Sequence, residues 1–221
     1  MSLDKKIREN LDGKYLTIYS DSFKEGIEYA SKLKINHVQI IWVSKKEVDF
    51  KEFEKVGDFL KIISFVSVVD RIKNLDSIYS LQRIEKLYFQ QKQKFKIDIS
   101  KFPKIEYLGS EYWKGLININ KAHSLKGLLL LKFPKVNLNE LSELKKLQKL
   151  HIYSSKIETL AGIEKLPLNN LSLVRNNALE NIEAIKELKK LNDLLIEKCK
   201  KISDYTLLDS LKNKVDIRII K

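Results

Sequence analysis

Apolar residues recur along this chain as doublets with one residue between them, and the doublets return every 20 to 25 residues. The clearest are Leu128/Leu130, Leu150/Ile152, Leu171/Leu173 and Leu194/Ile196, followed by Ile217/Ile219. Upstream the same step places Leu16/Ile18, Ile40/Trp42, Phe65/Ser67, Leu87/Phe89 and Leu108/Ser110. An apolar-x-apolar stretch suits a short strand with one buried face, because successive side chains of a strand point to opposite sides. Between doublets the apolar step changes to three and four residues. This predicts helical connections over Asp21–Leu33, Ser44–Val56, Leu138–Leu147, Leu179–Leu191 and Ser203–Leu211. One strand and one connection cannot bury their own apolar edge. Stacked copies do so, in a parallel sheet over a continuous core.

The doublets sit inside a longer phrase. It reads LKKLQKLHIYSSKI from Leu144, LPLNNLSLVRNNAL from Leu166 and LKKLNDLLIEKCKKI from Leu188. The spacing L-x-x-L-x-L-x-x-N/C-x-L resembles the leucine-rich-repeat family, in its internalin-type class of short repeats of about 22 residues. The resemblance covers nearly all of the chain. It implies an α/β solenoid, a right-handed arc with a parallel sheet of about ten short strands on the concave face and helices on the convex face. It also implies one domain over residues 1–221, with 1–34 as an N-terminal cap or first repeat and 200–221 as the last repeat or C-terminal cap. In the family the N/C residue bonds backbone groups where the chain leaves the strand. Here that slot holds Asp21, Asp70, Ser155, Asn176 and Cys199, but Lys45, Lys92, Trp113 and Phe133 elsewhere. Trp42 is expected to fill an inward strand slot, and Trp113 to plug the space an Asn would leave. Family members mostly bind other proteins on the concave face, which implies a non-catalytic interaction module with a protein partner.

If the doublets face the core, the residues beside them face outward. Those expected to contact a partner are Tyr15, Tyr19, Ile41, Val43, Tyr88, Tyr107, Leu129, Leu131, His151 and Tyr153. In GLLLLKF (Gly127–Phe133), two of the four leucines cannot reach the core. Tyrosine offers a large apolar area and a hydroxyl at little entropic cost, which suits an interface.

Composition narrows the alternatives. The formal net charge is +13, yet only five of the 42 basic residues are Arg, and the excess is spread along the chain. Lys lacks the planar fork that reads phosphate and base edges bidentately. Binding to nucleic acid or an anionic surface is therefore the alternative function, and a solvated outer surface accounts for most of the charge. Rich Lys, Ile and Asn usage suggests an AT-rich bacterial genome. MSLDKKIREN has no apolar core of the secretory kind, no apolar run reaches spanning length, and a lone Cys suits a reducing compartment. A cytoplasmic, membrane-free, monomeric protein is expected. No phosphate loop, dinucleotide fingerprint, zinc spacing or nucleophile elbow is present, so no catalytic residue, cofactor or metal is expected. Cys199 lies in the repeat's own slot, and His37, His123 and His151 form no ligand pair. Asp216 and Arg218 alternate on the last strand as protection of an open edge.

Overall fold

The computed structural model describes residues 7–43 and 46–221. The start of the expected Ser44–Val56 helix, the Lys45 slot and residues 1–6 of the expected cap lie outside the described residues. The fold is a leucine-rich-repeat solenoid, built from two compact units, 1–109 with 113–117 and 110–112 with 118–221.

The N-terminal unit opens with an antiparallel hairpin, β1 (Ile7–Asn10) and β2 (Gly13–Tyr19). Helix α1 (Phe23–Leu33) leads to β3 (His37–Ile41). Residue pairs Val48–Asp49 (β4) and Ile72–Lys73 (β6) flank β5 (Ile62–Phe65). Then come β7 (Lys86–Phe89), the two-residue β8 (Ile97–Asp98), β9 (Tyr107–Glu111) and the two-residue β10 (Leu116–Ile117). The front sheet runs β1-β2-β3-β5-β7-β9, while β4 with β6 and β8 with β10 make short parallel pairs outside it. Beneath the front sheet the phenylalanines interlock. Phe50 packs edge-on to Phe53 at 4.9 Å, and Phe65 stacks on Phe89 at 5.0 Å.

Two doublets expected from sequence are shifted. Leu16 pairs with Val38 and Ile18 with Ile40, while Val38 pairs with Ile63 and Ile40 with Phe65. The inward doublets are therefore Val38/Ile40 and Ile63/Phe65, not Ile40/Trp42 and Phe65/Ser67. The segments VQIIWV and IISFVSV are apolar on both faces, so alternation alone cannot fix where the strand begins. The slip is two residues, so inward and outward faces are preserved. Trp42 has left the strand: its N–H donates to Ser67 Oγ at 2.6 Å.

The C-terminal unit stacks β11 (Gly127–Leu131), β12 (Lys149–Tyr153), β13 (Asn170–Val174), β14 (Asp193–Glu197) and β15 (Asp216–Ile220) in parallel. Here every expected doublet aligns: Leu128, Leu150, Leu171, Leu194 and Ile217 form one row, and Leu130, Ile152, Leu173, Ile196 and Ile219 the next. All are sealed except those of β15, where Ile219 is 37% exposed. The slot residues build the ladder implied by the resemblance. Ser155 Oγ accepts from Phe133 N–H at 2.9 Å, and Asn176 Oδ1 accepts from Ser155 N–H at 2.9 Å. Asn176 Nδ2 then donates to Ile152 O at 2.7 Å, and Cys199 Sγ to Leu173 O at 3.5 Å. Four strands exit through a left-handed non-glycine residue: Lys132, Ser154, Arg175 and Lys198. Each of their N–H groups donates across to the neighbouring strand, which offsets the backbone cost.

In the N-terminal unit the ladder is displaced from the expected slots. Asp21 and Asp70 are exposed, and backbone N–H groups are taken instead by Ser20 (from Val43), Ser67 (from Trp42) and Gln93 (from Val69). Trp113 does plug its slot, buried on Phe89 with Nε1 donating to Phe95 O at 2.7 Å. The connections are less helical than the sequence suggests. Only α1 is an α-helix among the described residues. Phe50–Lys55, Asn139–Leu141, Glu183–Glu187 and Thr206–Leu211 are 3-10 turns. A repeat this short leaves few residues to return along the back, and 3-10 turns rise further per residue than α turns.

Candidate functional site

The outward residues of the sheet follow from the register. In the N-terminal unit one row runs Tyr15, His37, Ile62, Lys86, and the next Thr17, Gln39, Ser64, Tyr88. Tyr15, Tyr19, Ile41, Tyr88 and Tyr107 are all half-buried on this face, and Val43 lies beyond the strand end at 53% exposure. Tyr88 and Tyr107 lie 5.6 Å apart, with Gly109 beside them leaving no room for a Cβ against the Tyr88 ring.

The tip of the β1–β2 hairpin folds across this face, an arrangement not legible from the residue pattern. Asp12 Oδ1 accepts from Lys86 Nζ at 2.5 Å, and Oδ2 from the Tyr88 hydroxyl at 3.0 Å. The partners are separated by more than seventy residues, so no local spacing could reveal them. Burial alone would raise the Asp12 carboxyl, but the hydrogen bonds from Lys86 and Tyr88 outweigh it and hold the group below its ordinary value. Burial, with the Asp12 charge, pushes the Tyr88 hydroxyl well above its ordinary value. Near the clasp, Thr17 and His37 are each only 2% exposed. Thr17 Oγ1 and His37 Nδ1 have no hydrogen-bond partner among the described residues. Burial holds the His37 imidazole below its ordinary value, partly opposed by the Asp12 charge.

The C-terminal unit carries a different face. Leu129 pairs with His151 and Leu131 with Tyr153, all half-buried on the side away from the sealed doublets. The His151 and Tyr153 rings lie parallel within 8°, with centroids 6.0 Å apart. A polar relay crosses four strands beside them. His151 Nε2 meets Asn170 Oδ1 at 2.8 Å, Asn170 Nδ2 donates to Asp193 Oδ2 at 3.0 Å, and Arg218 donates to Asp193 Oδ1 at 2.7 Å. The relay ties these side chains to one another across the strands. Each of its members was legible as outward-facing; that they join was not. The sequence-derived site residues thus divide between the two units: Tyr15, Tyr19, Ile41, Val43, Tyr88 and Tyr107 in one, Leu129, Leu131, His151 and Tyr153 in the other.

Cys199 is buried, and burial lifts its thiol above the ordinary value, which disfavours a nucleophilic thiolate. No cluster of three or more His, Cys, Asp or Glu able to hold a metal occurs among the described residues. No helix among the described residues is long and apolar enough to cross a membrane.

The stacked strands, the aligned leucine rows and the Ser155–Asn176–Cys199 ladder define a leucine-rich-repeat fold, and solved structures bear this out. The chain is similar to internalin C2 from Listeria monocytogenes at 15% identity, covering 89% of this chain and 83% of that one, with a TM-score of 0.60. It is likewise similar to the leucine-rich repeat domain of the type III effector XopL at 14% identity, covering 88% and 79%, with a TM-score of 0.60. No protein-family model and no curated protein matches the sequence.

Proposed function

We propose that this protein is a non-catalytic interaction module that holds a protein partner on the outward face of its sheet. The observation that carries this reading is the C-terminal face, where Leu129 and Leu131 stand beside the parallel His151 and Tyr153 rings, braced by the Asn170–Asp193–Arg218 relay. Apolar and aromatic groups held rigid on a strand surface lose little entropy on docking, and such groups carry most of the energy at protein interfaces. In the N-terminal unit Tyr19, Ile41, Val43, Tyr88 and Tyr107 are proposed as further contacts, with Tyr15 against His37. The fold supports the reading, since leucine-rich repeats are used chiefly for protein binding. A cytoplasmic setting accords with the single buried thiol.

The test is capture of partners from the cell that makes the protein, with the intact chain as bait, against Leu129→Asp and Tyr153→Glu. Both positions lie on the outward face, so urea midpoints should move little. Capture of every partner by the variants at the level of the parent overturns the proposal. Loss of a specific partner, about tenfold or more, supports it.

A further inference from the structure

The outward rows of the N-terminal sheet are shut in where a bare sheet face would meet water. Thr17 and His37 are each 2% exposed and Ser64 8%, although all three stand on the side away from the sealed doublets. What crosses them is the hairpin tip. It leaves the sheet beside β2 and reaches over β3 and β5 to Lys86 and Tyr88 on β7. Beneath it Thr17 Oγ1 and His37 Nδ1 are buried with no hydrogen-bond partner among the described residues. A buried polar atom left unpaired costs stability. Two of them on adjacent strands mark a surface whose proper complement is not the hairpin.

The tip is held lightly. Leu11 at its apex is fully exposed, and a Cβ on Gly13 would meet open space. All four residues of β1 are exposed. Among the described residues, the hydrogen bonds from the tip to β7 all end on one group, the Asp12 carboxylate. Its ion pair with Lys86 is part-exposed on both sides, so solvent weakens it. The receiving groups suit a carboxylate from any source. Lys86 supplies an ammonium, Tyr88 a hydroxyl donor at 3.0 Å, and His37 an imidazole close enough for the Asp12 charge to act on it. Arg8, opposite Tyr15 on β1, adds an exposed cation to the same side. The net charge of +13 favours encounter with acidic partners.

We propose that the β1–β2 hairpin is an autoinhibitory latch on an acid-recognition site. Asp12 occupies in cis the place that an Asp or Glu side chain of an acidic protein segment takes when the partner binds. Displacement of the tip releases Lys86 and Tyr88 and uncovers His37 and Thr17, whose unpaired atoms then meet the partner. Such a latch rests on the outward rows being the binding face, yet its variants lie in the N-terminal unit, so it can fail while capture through Leu129 and Tyr153 stands.

The probe is an end-blocked oligo-aspartate peptide carrying a fluorophore, followed by anisotropy against the intact protein at low salt. Asp12→Ala should bind it about tenfold or more tightly than the parent, because the closed state no longer competes. Glu9→Ala removes the same charge from an exposed position on the same hairpin and should bind like the parent. Adding Lys86→Ala or Tyr88→Phe to Asp12→Ala should abolish the gain. With no peptide present, diethyl pyrocarbonate should modify His37 faster in Asp12→Ala than in the parent, read by mass spectrometry. Circular dichroism confirms that each variant is folded. Equal binding by Asp12→Ala and Glu9→Ala overturns the proposal, as does a gain that survives the loss of Lys86 and Tyr88. His37 modified no faster in Asp12→Ala means that the hairpin does not close the face, and overturns the latch. The same gain toward a single-stranded oligonucleotide of equal charge would assign the site to phosphates and overturns the acidic protein partner.

Discussion

At the scale of single residues, the ladder of small polar side chains ties strand to strand. Asn176 is fully buried and serves two backbone groups, the Ser155 N–H and the Ile152 carbonyl. Asn176→Ala strands both without solvent, so a loss of about 2–4 kcal/mol is expected in urea unfolding. Cys199→Ser keeps a small hydrogen-bonding side chain in the slot and should fall well short of that. Gly162 has φ of 109°, and a Cβ there would overlap backbone atoms of Asn139 and Leu138. Gly162→Ala should therefore destabilise by about 2 kcal/mol or more, read by the same measurement. Asn176 was legible in the repeat spacing. Ser20, Ser67 and Gln93 were not, because they do the same work one to three positions away from the expected slot.

At the scale of elements, the hairpin clasp is the feature to probe. Its hydrogen bonds join Asp12 on the β1–β2 turn to Lys86 and Tyr88 on β7, and His37 is buried nearby. The folded state keeps His37 neutral, while the unfolded chain takes up a proton at the ordinary value of 6.5. The unfolded state thus binds more protons below that pH, and stability is lost as pH falls from there through the lower folded value. His37→Gln should flatten this loss in urea midpoints measured between pH 7 and pH 5, taken as roughly the histidine range. A midpoint profile unchanged by the substitution would contradict the assigned burial effect. The strands themselves were largely readable. From Leu87 onward every doublet stands where the period placed it. Upstream, Val38 and Ile63 replaced Trp42 and Ser67 because continuous apolar runs blur where a strand starts. The helical connections were over-read, since three- and four-residue apolar steps fit a 3-10 turn as well as an α-helix.

At the scale of the whole molecule, the period settled the architecture, whereas charge says less than its size suggests. Many of the lysines sit in exposed ion pairs, such as Lys201 with Glu180 at 2.6 Å and Lys73 with Glu47 at 2.9 Å. Solvent and salt screen such pairs. Lys201→Ala is accordingly expected to leave the urea midpoint unchanged within error. The left-handed exits at Lys132, Ser154, Arg175 and Lys198 have a broader bearing. These four strands are released at intervals of 22, 21 and 23 residues, so the differences in repeat length fall on the return segments while the front rows stay in step. The rear turns, at exposed positions such as Lys189 and Lys190, are therefore natural grafting points, where foreign segments can be displayed without retuning the surface opposite.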